Sequence, residues 1–275
     1  MKSRIVYTPS GPAKKRREGK KIFLAVAIGA GILIVCGGIV FVLRAPRLQI
    51  QDIALSGIKI LDEQAVRDRI SAAFVGARAL IFPRSSFFLA DTDEIAYRLK
   101  QDFLRIRDVA VAKKFPDKLE IVINERVFWG VFCNRAQGSS TPACAYIDPD
   151  GIAYEYAPEP QGKLIISIRS DEGGDIILGM PAIDFAVMAE IRNLAEKIPA
   201  ETGIAIMDFE LRTRVPSEIR AIAGEGFAMI FKREDDYAAI LRVLKRVLEG
   251  EIKDKQSRLD YIDLRFGNKV FYKLK

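Results

Sequence analysis

The feature that most constrains this chain is a run of 22 residues, Ile22 to Leu43, without a charged side chain. At a rise of about 1.5 Å per residue, a helix of this length is roughly 33 Å long, which matches the hydrocarbon core of a bilayer. Helices buried in the core of a water-soluble domain are rarely uncharged over such a length. The run therefore predicts a single transmembrane helix over residues 22–43.

The charges beside this run predict its orientation. Residues 1–21 contain eight lysine or arginine side chains and one glutamate, which account for the whole net charge of +7. Because the rest of the chain is neutral overall, composition does not support a nucleic-acid-binding surface, and we expect no nucleic-acid partner. Positive charge stays on the cytoplasmic side of a membrane, so we expect residues 1–21 to form a cytoplasmic tail beside anionic lipid, with the remainder extracytoplasmic.

A cleaved signal peptide is the alternative to a permanent anchor. Its apolar core has only about 7–15 residues and ends at small residues suited to cleavage. The apolar run here is longer, and Pro46 directly follows the small residue Ala45. We therefore expect an uncleaved, single-pass anchor in the cytoplasmic (inner or plasma) membrane.

A compact α+β pattern follows the anchor. Apolar residues from Leu48 to Leu55 predict a strand, and Asp62 and Asp91 stand where the N-caps of two amphipathic helices are expected. Residues 75–90, between these helices, are predicted as a loop. Two strands then flank the turn Phe115-Pro116-Asp117. This order predicts a three-stranded sheet with two helices on one face, and with its other face and its edges open.

From Val127 onward the sequence is typical of a second, β-rich domain over residues 127–275. Two amphipathic helices interrupt the strands, one carrying apolar residues from Phe185 to Ile198 and one from Tyr237 to Leu248, ending near Gly250. The nine predicted strands are 127–133, 144–148, 152–156, 163–169, 204–211, 217–223, 226–232, 259–266 and 269–274.

Two of the three cysteines lie outside the apolar run. Cys133 and Cys144 are 11 positions apart, around the turn-rich stretch from Asn134 to Pro142. In an oxidising compartment such a pair can close a hairpin with a disulfide. Two buried free thiols fit the same pattern, so both alternatives stay open. Cys36 lies within the run and is predicted to be a small apolar side chain there.

The strands around the first turn resemble a known family. Val109-x-Val111, followed by Phe115-Pro116-Asp117-Lys118-Leu119-x-Ile121-x-Ile123-x-Glu125-Arg126, resembles the polypeptide-transport-associated (POTRA) domain of FtsQ/DivIB bacterial cell-division proteins. Ile147-Asp148-x-x-Gly151 and the ending Tyr261-Ile262-Asp263-Leu264-Arg265-Phe266-x-Asn268-Lys269-Val270 resemble later parts of the same family. The resemblance implies a POTRA domain over residues 48–126, of order βααββ. The cysteine pair and Val127-Phe128-Trp129-Gly130 depart from the family pattern.

The resemblance also implies a function and a site. Proteins of this family are scaffolds of the division machinery (divisome) at the septum, and link FtsB- and FtsL-like bitopic proteins and other divisome components to septal peptidoglycan synthesis. Partners bind an edge strand near the C-terminus, where unpaired N–H and C=O groups accept a further strand. Side chains point alternately to the two faces of that strand. Only one of these two alternation sets can face a partner, and the other would belong to the core. Carried over by position, the implied partner-binding residues are Arg265, Phe266, Lys269, Val270, Phe271 and Tyr272.

The POTRA motif is expected to act through structure rather than through contact with a partner. Phe115, Pro116 and Asp117 are predicted to order the turn between the two strands. Glu125 and Arg126 are predicted to mark the junction of the two domains.

Composition limits the catalytic alternatives. The chain has no histidine, which excludes Ser-His-Asp and Cys-His catalysis and histidine-ligated metals. Two extramembrane cysteines are too few for a four-ligand zinc site, and we expect no catalytic residue, metal or cofactor. The alternatives are a POTRA-containing component of a membrane secretion system and, less favoured, an extracytoplasmic hydrolase. A hydrolase would use a serine–lysine pair or carboxylates such as Asp148 and Asp150, although a turn explains these acids.

Overall fold

The structure of the chain, a computed structural model, describes residues 4–5, 13–78, 82–135, 142–162 and 164–275. Residues 1–3 and 6–12 of the predicted tail lie outside the described residues, as do residues 136–141 of the predicted turn between the cysteines. The chain forms two compact units. The first comprises its residues up to Leu99 together with Val109–Ile123, and the second comprises Lys100–Asp108 together with Asn124–Lys275.

The predicted apolar helix is confirmed as α1 (Ala13–Arg44). Its segment Lys21–Arg44 is long and apolar enough to cross a membrane, and among the described residues it is the one helix that is. None of this segment is buried by the rest of the protein. An apolar surface that the protein itself does not cover is what a membrane span requires.

The predicted βααββ arrangement is present, and it lies in the first unit except for Lys100–Asp108 and the last two residues of β5, which belong to the second. The sheet has the order β1-β5-β4, with β1 parallel to β5. The predicted helix caps form: the carboxylate of Asp62 accepts from the N–H of Gln64, and that of Asp91 accepts from the N–H groups of Asp93 and Glu94. The elements are β1 (Asp52–Ser56), α2 (Glu63–Ala73), β2 (Ala77–Arg78), β3 (Phe82–Pro83), α3 (Thr92–Asp102), β4 (Ile106–Lys114) and β5 (Lys118–Glu125).

The core of this unit is formed by residues that recur at the helical period in the helices and at the two-residue period in the strands. The helices bury residues at helical spacing, and β5 buries every second residue. Gly57 ends β1 with φ +84°, and a Cβ there would lie 2.0 Å from the carbonyl oxygen of Ile123, so this close approach requires glycine. The buried apolar residues of the two helices and of β5 are Val66, Ile70, Ile95, Leu99, Leu119, Ile121 and Ile123.

Two local predictions for this unit were wrong. The first strand begins at Asp52 rather than at Leu48, because Pro46–Leu48 forms a 3-10 turn and the N–H of Ile50 donates to the carbonyl oxygen of Ser85, which lies outside the sheet. The predicted loop 75–90 contains a small antiparallel ladder of β2 and β3. Strands of two residues are too short for apolar alternation to be seen in the sequence.

The second unit contains all nine predicted strands and both predicted helices, so the predicted fold class is confirmed. The observed elements are β6 (Gly130–Asn134), β7 (Ala143–Ile147), β8 (Ala153–Ala157), β9 (Ser167–Ser170), α4 (Phe185–Thr202), β10 (Ile206–Leu211), β11 (Glu218–Ala223), β12 (Ala228–Lys232), α5 (Tyr237–Val247), β13 (Leu259–Phe266) and β14 (Lys269–Leu274).

These strands form one sheet in the order β14-β13-β12-β11-β10-β9-β6-β7-β8. The pairs β6/β9, β9/β10 and β12/β13 are parallel, and the other pairs are antiparallel. The order places β8 and β14 at the two ends of the sheet. These are the two strands with an edge that no other strand of this sheet occupies.

The main core lies on the face of the sheet that α4 and α5 cover. It includes the fully buried Phe209, Phe227 and Phe231 together with the apolar stripes of both helices. Because side chains alternate along a strand, the neighbours of each core residue point to the other face. There, Val131 forms a smaller cluster with Cys133 and Cys144.

The end of the last helix differs from the prediction. α5 ends at Val247, and the chain continues in a π-helical turn, Leu248–Ile252, that contains Gly250. Leu248 and Ile252 of this turn are buried in the main core. Their packing holds the chain in a helical path beyond the point where the sequence pattern ends.

Candidate partner-binding site

The strand β14 has an open backbone edge. Within the described residues, no strand pairs with its outer side. On its inner side, the N–H of Lys275 donates to the carbonyl oxygen of Arg258 at 2.7 Å. Backbone groups alternate in direction along a strand, so the N–H and C=O groups of Val270, Tyr272 and Leu274 point to the open edge. These groups are available to pair with an added strand.

The two faces of β14 have different surroundings. Val270 and Leu274 pack against the main core, and Tyr272 lies opposite the core residue Ile262. Phe271 lies opposite Asp263 on the other face and is 52% exposed. Of the two alternation sets, the one that contains Phe271 is therefore the more accessible to a partner, whereas Val270 has a packing role.

Two exposed aromatic rings stand next to this edge. Phe266 and Phe271 are 54% and 52% exposed, and their rings meet edge to face with centroids 5.2 Å apart. A tight turn at Gly267, with φ +63°, pairs Phe266 with Lys269 and brings the rings together. Exposed aromatic pairs of this kind are typical anchors in protein interfaces.

Arg265 is held by two carboxylates on the same face of the sheet. Its guanidinium lies 2.6 Å from Asp263 and 2.8 Å from Glu218, and 5.8 Å from the centre of the Phe266 ring. Burial raises the pKa of Asp263, but hydrogen bonds from Arg265 outweigh this effect, so the pKa of Asp263 is lowered overall. The hydrogen bond to Asp263 raises the pKa of Arg265. Arg265 therefore positions Phe266 and is less available to a partner than the sequence implied.

Sequence reasoning missed Glu218 and the role of Asp263 in this network. Both carboxylates are buried, at 5% and 7% exposure, and Arg265 reaches past β12 to contact Glu218 on β11. Asp263 lies within the motif that carried the family resemblance, so a signal for it was present. Glu218 has no such signal, because its pairing depends on the order of the strands.

The turn of the POTRA motif is ordered by backbone contacts. The Phe115–Pro116 peptide bond is cis, and the carbonyl oxygen of Asp117 accepts from the N–H of Gln51 at 2.9 Å. Phe115 itself is 71% exposed.

The end of the POTRA motif belongs to a charged cluster within the second unit. Arg126 lies 2.5 Å from Asp148, which is fully buried, and donates to the carbonyl oxygen of Leu104 at 3.1 Å. Arg107 pairs with Asp150 at 2.7 Å. The two acids considered for hydrolysis therefore each pair with an arginine. Among the described residues, no group of three or more acidic or cysteine side chains is placed to hold a metal ion.

Cys133 and Cys144 are joined by a disulfide, with an Sγ–Sγ distance of 2.03 Å. They lie directly opposite each other on β6 and β7. Both are buried, on the face of the sheet that the helices do not cover. The bond ties two neighbouring strands close to the β8 end of the sheet.

Comparison with known proteins identifies the βααββ region. Residues 48–126 match the family model of the POTRA domain, FtsQ-type. The curated "Cell division protein FtsQ" of Streptomyces bingchenggensis is 24% identical over 159 residues. These two matches support a protein of the FtsQ/DivIB family. The family predicted from the sequence motifs is thus confirmed, together with the POTRA domain and a link to cell division.

These matches cover only part of the chain, which limits the conclusions that they support. The alignment with the Streptomyces FtsQ covers 56% of this chain and 54% of that relative, so the chain spans about half the length of the relative it matches. The FtsQ-type POTRA match ends at Arg126, and β14 with its aromatic pair lies outside it. The partner-binding role of β14 therefore rests on the geometry of the strand and is a proposal.

Proposed function

We propose that this FtsQ/DivIB family protein is a non-catalytic, bitopic scaffold of the bacterial division machinery. It links FtsB- and FtsL-like bitopic proteins to septal peptidoglycan synthesis through protein–protein contacts. Its basic tail lies in the cytoplasm, α1 spans the membrane, and residues 44–275 lie outside the cytoplasm at the septum. The family assignment and the single apolar helix support this proposal.

The open edge of β14 is the observation that carries the proposal. A partner segment adds there as a further strand and pairs with the outward backbone groups of Val270 and Tyr272. Phe266 and Phe271 then bury against alternate apolar side chains of that segment. Backbone pairing supplies general affinity, and the aromatic pair supplies selectivity for the partner.

The proposal is tested by capture of purified FtsB- and FtsL-like proteins by the full chain in nanodiscs. Phe271→Glu places a charge in the aromatic pair, and we expect affinity to fall by about tenfold or more, equivalent to ~1.4 kcal/mol. Phe266→Glu should act in the same direction. Phe185→Glu is the matched control, because Phe185 is 57% exposed in the same unit, at the start of α4 and away from β14.

Each outcome of this experiment has a distinct meaning. Loss of capture by the two β14-side variants, with normal capture by Phe185→Glu, supports the scaffold with its site at β14. Unchanged capture by folded Phe266→Glu and Phe271→Glu places the site elsewhere. Failure of the unmodified chain to capture any division protein favours the secretion-component alternative.

A further inference from the structure

The first unit carries an exposed aromatic cluster of Phe87, Phe88 and Phe115. The Phe87 ring meets the other two edge to face, with centroids 5.7 Å and 5.8 Å apart. Phe88 is 52% exposed and Phe115 is 71% exposed. Adjoining apolar rings that are largely exposed usually mark a surface that another molecule covers.

This cluster is tied to the segment that directly follows the membrane helix. The N–H of Phe87 donates to the carbonyl oxygen of Leu48, and the N–H of Ile50 donates to that of Ser85, both at 2.8 Å. On the other side of the segment, the N–H of Gln51 donates to the carbonyl oxygen of Asp117 at 2.9 Å. Both turns that carry the phenylalanines are therefore hydrogen-bonded to residues 48–51.

The length of the connection places the cluster close to the bilayer. α1 ends at Arg44, and four residues reach at most about 14 Å even when fully extended. The connection is shorter than this, because Pro46–Leu48 forms a 3-10 turn and the side chain of Gln49 donates to the carbonyl oxygen of Arg44. The headgroup layer is roughly 5–7 Å thick on each side of the hydrocarbon core. The aromatic cluster therefore lies within this layer or just beyond its outer surface.

Cationic side chains accompany the aromatic rings. Arg47 and Arg84 are exposed and directly precede Leu48 and Ser85, the residues that bond the two segments together. Lys113 lies with its Nζ 5.7 Å from the centre of the Phe87 ring. Aromatic rings beside arginine and lysine are the composition that favours the headgroup region, where rings enter the acyl boundary and cations meet phosphate.

We propose that Phe88 and Phe115 insert into the headgroup region of the bilayer that α1 spans, with Arg47, Arg84 and Lys113 against the phosphates of anionic phospholipid. This contact is a second attachment to the membrane, beyond the helix itself. It restricts the tilt of the POTRA domain relative to the bilayer. The proposal does not depend on partner binding at β14, so either can fail without the other.

The test measures the depth of a tryptophan in the full chain, reconstituted in vesicles of bromine-labelled phosphatidylglycerol and phosphatidylethanolamine. Bromine quenches tryptophan emission only at short range. Phe88→Trp is placed in a Trp129→Phe background, so that it is the one tryptophan. Phe41→Trp, within α1, is the positive control. Tyr97→Trp is the negative control, because Tyr97 is 65% exposed on α3 of the same unit and lies outside the cluster.

We expect bromine in the lipid to quench Phe88→Trp by at least half of the fraction found for Phe41→Trp, and to leave Tyr97→Trp unquenched. Equal quenching of Phe88→Trp and Tyr97→Trp would overturn the proposal, as would no quenching of Phe88→Trp or of Phe41→Trp. If Trp129→Phe prevents folding, the same three variants are compared with Trp129 retained. Its contribution is common to all of them, so the differences carry the same meaning.

Discussion

The two end strands of the nine-stranded sheet, β8 and β14, present their edges in different ways. At β8, the N–H of Ala153 donates to the carbonyl oxygen of Met180, and its own carbonyl oxygen accepts from the N–H of Gly179. Ile152 forms a further bridge to Pro181. A segment of chain therefore covers the start of this edge. Within the described residues, no comparable segment lies along β14.

Charges also differ between the two ends. Near β8, Arg105 pairs with Glu155, and Arg107 and Arg126 pair with acids of the β7–β8 hairpin. Along β14, Lys269 and Lys273 are exposed, and such lysines protect an edge against random pairing while leaving its backbone groups free for a specific strand. The β8 end is thus partly covered and rich in ion pairs, whereas the β14 end, the proposed partner-binding edge, stays open. Substitutions at the two ends should have separate effects.

The largest expected effect is on stability at the β8 end. Arg126→Ala removes the cation that faces the fully buried carboxylate of Asp148. We expect the free energy of unfolding to fall by about 3 kcal/mol, because a buried charge is left without its partner. Thermal unfolding of the full chain in nanodiscs measures this.

Arg107→Ala is the matched control for Arg126→Ala. Arg107 pairs with Asp150, but the side chains are 48% and 35% exposed, so we expect a loss of less than about 1 kcal/mol. Equal losses for the two variants would contradict the role given to burial. Loss of partner capture by folded Arg126→Ala would break the separation between the two ends.

Removal of the disulfide should have the next largest effect. Replacing both Cys133 and Cys144 with serine frees a loop with a sequence separation of 11 residues. We expect the free energy of unfolding to fall by about 2 to 3 kcal/mol, slightly less than for Arg126→Ala, because the unfolded chain gains conformational freedom. Denaturant unfolding with and without reductant measures this, and the serine variant should not respond to reductant. Equal alkylation of the unmodified protein in both conditions would show that its thiols are free.

The sequence predicted the elements of this fold better than their arrangement. Apolar periodicity is local, and it located all nine strands of the second unit and both helices. The order of the strands depends on contacts between distant segments, so the sequence did not show that a segment near Met180 covers β8. For the same reason, the sequence could not distinguish Val270 from Phe271, and both were predicted as partner-binding residues. Only the register with Ile262 and Asp263 shows which of the two faces the core.

The importance of the backbone at the open edge is tested with two substitutions at one residue. Tyr272→Ala removes the side chain and keeps the outward N–H, whereas Tyr272→Pro removes both. Proline is tolerated on an edge strand when the missing N–H faces away from the sheet. We expect Tyr272→Pro to bind the partner about tenfold more weakly than Tyr272→Ala, equivalent to ~1.4 kcal/mol. Equal affinities of the two folded variants would show that the partner does not add as a strand.

The smallest expected effect concerns the charges beside the aromatic pair and depends on pH. The pKa of Asp263 is lowered below its ordinary value of 3.8, so its ionised form stabilises the folded state. This contribution is complete above the ordinary pKa and is lost as pH falls through the lower, folded pKa. Asp263→Asn lacks it, and we expect that variant to be less stable by about 1 kcal/mol at neutral pH, typical of one hydrogen bond.

Unfolding of the unmodified protein and of Asp263→Asn is therefore compared from neutral pH downward. The difference between them should stay constant above about pH 5 and shrink below pH 3.8, where the carboxyl group takes up its proton. A difference that does not shrink in that range would show that Arg265 does not hold Asp263 in its ionised form. Because this network fixes one ring rather than an edge, its loss should cost less stability than Arg126→Ala at the β8 end.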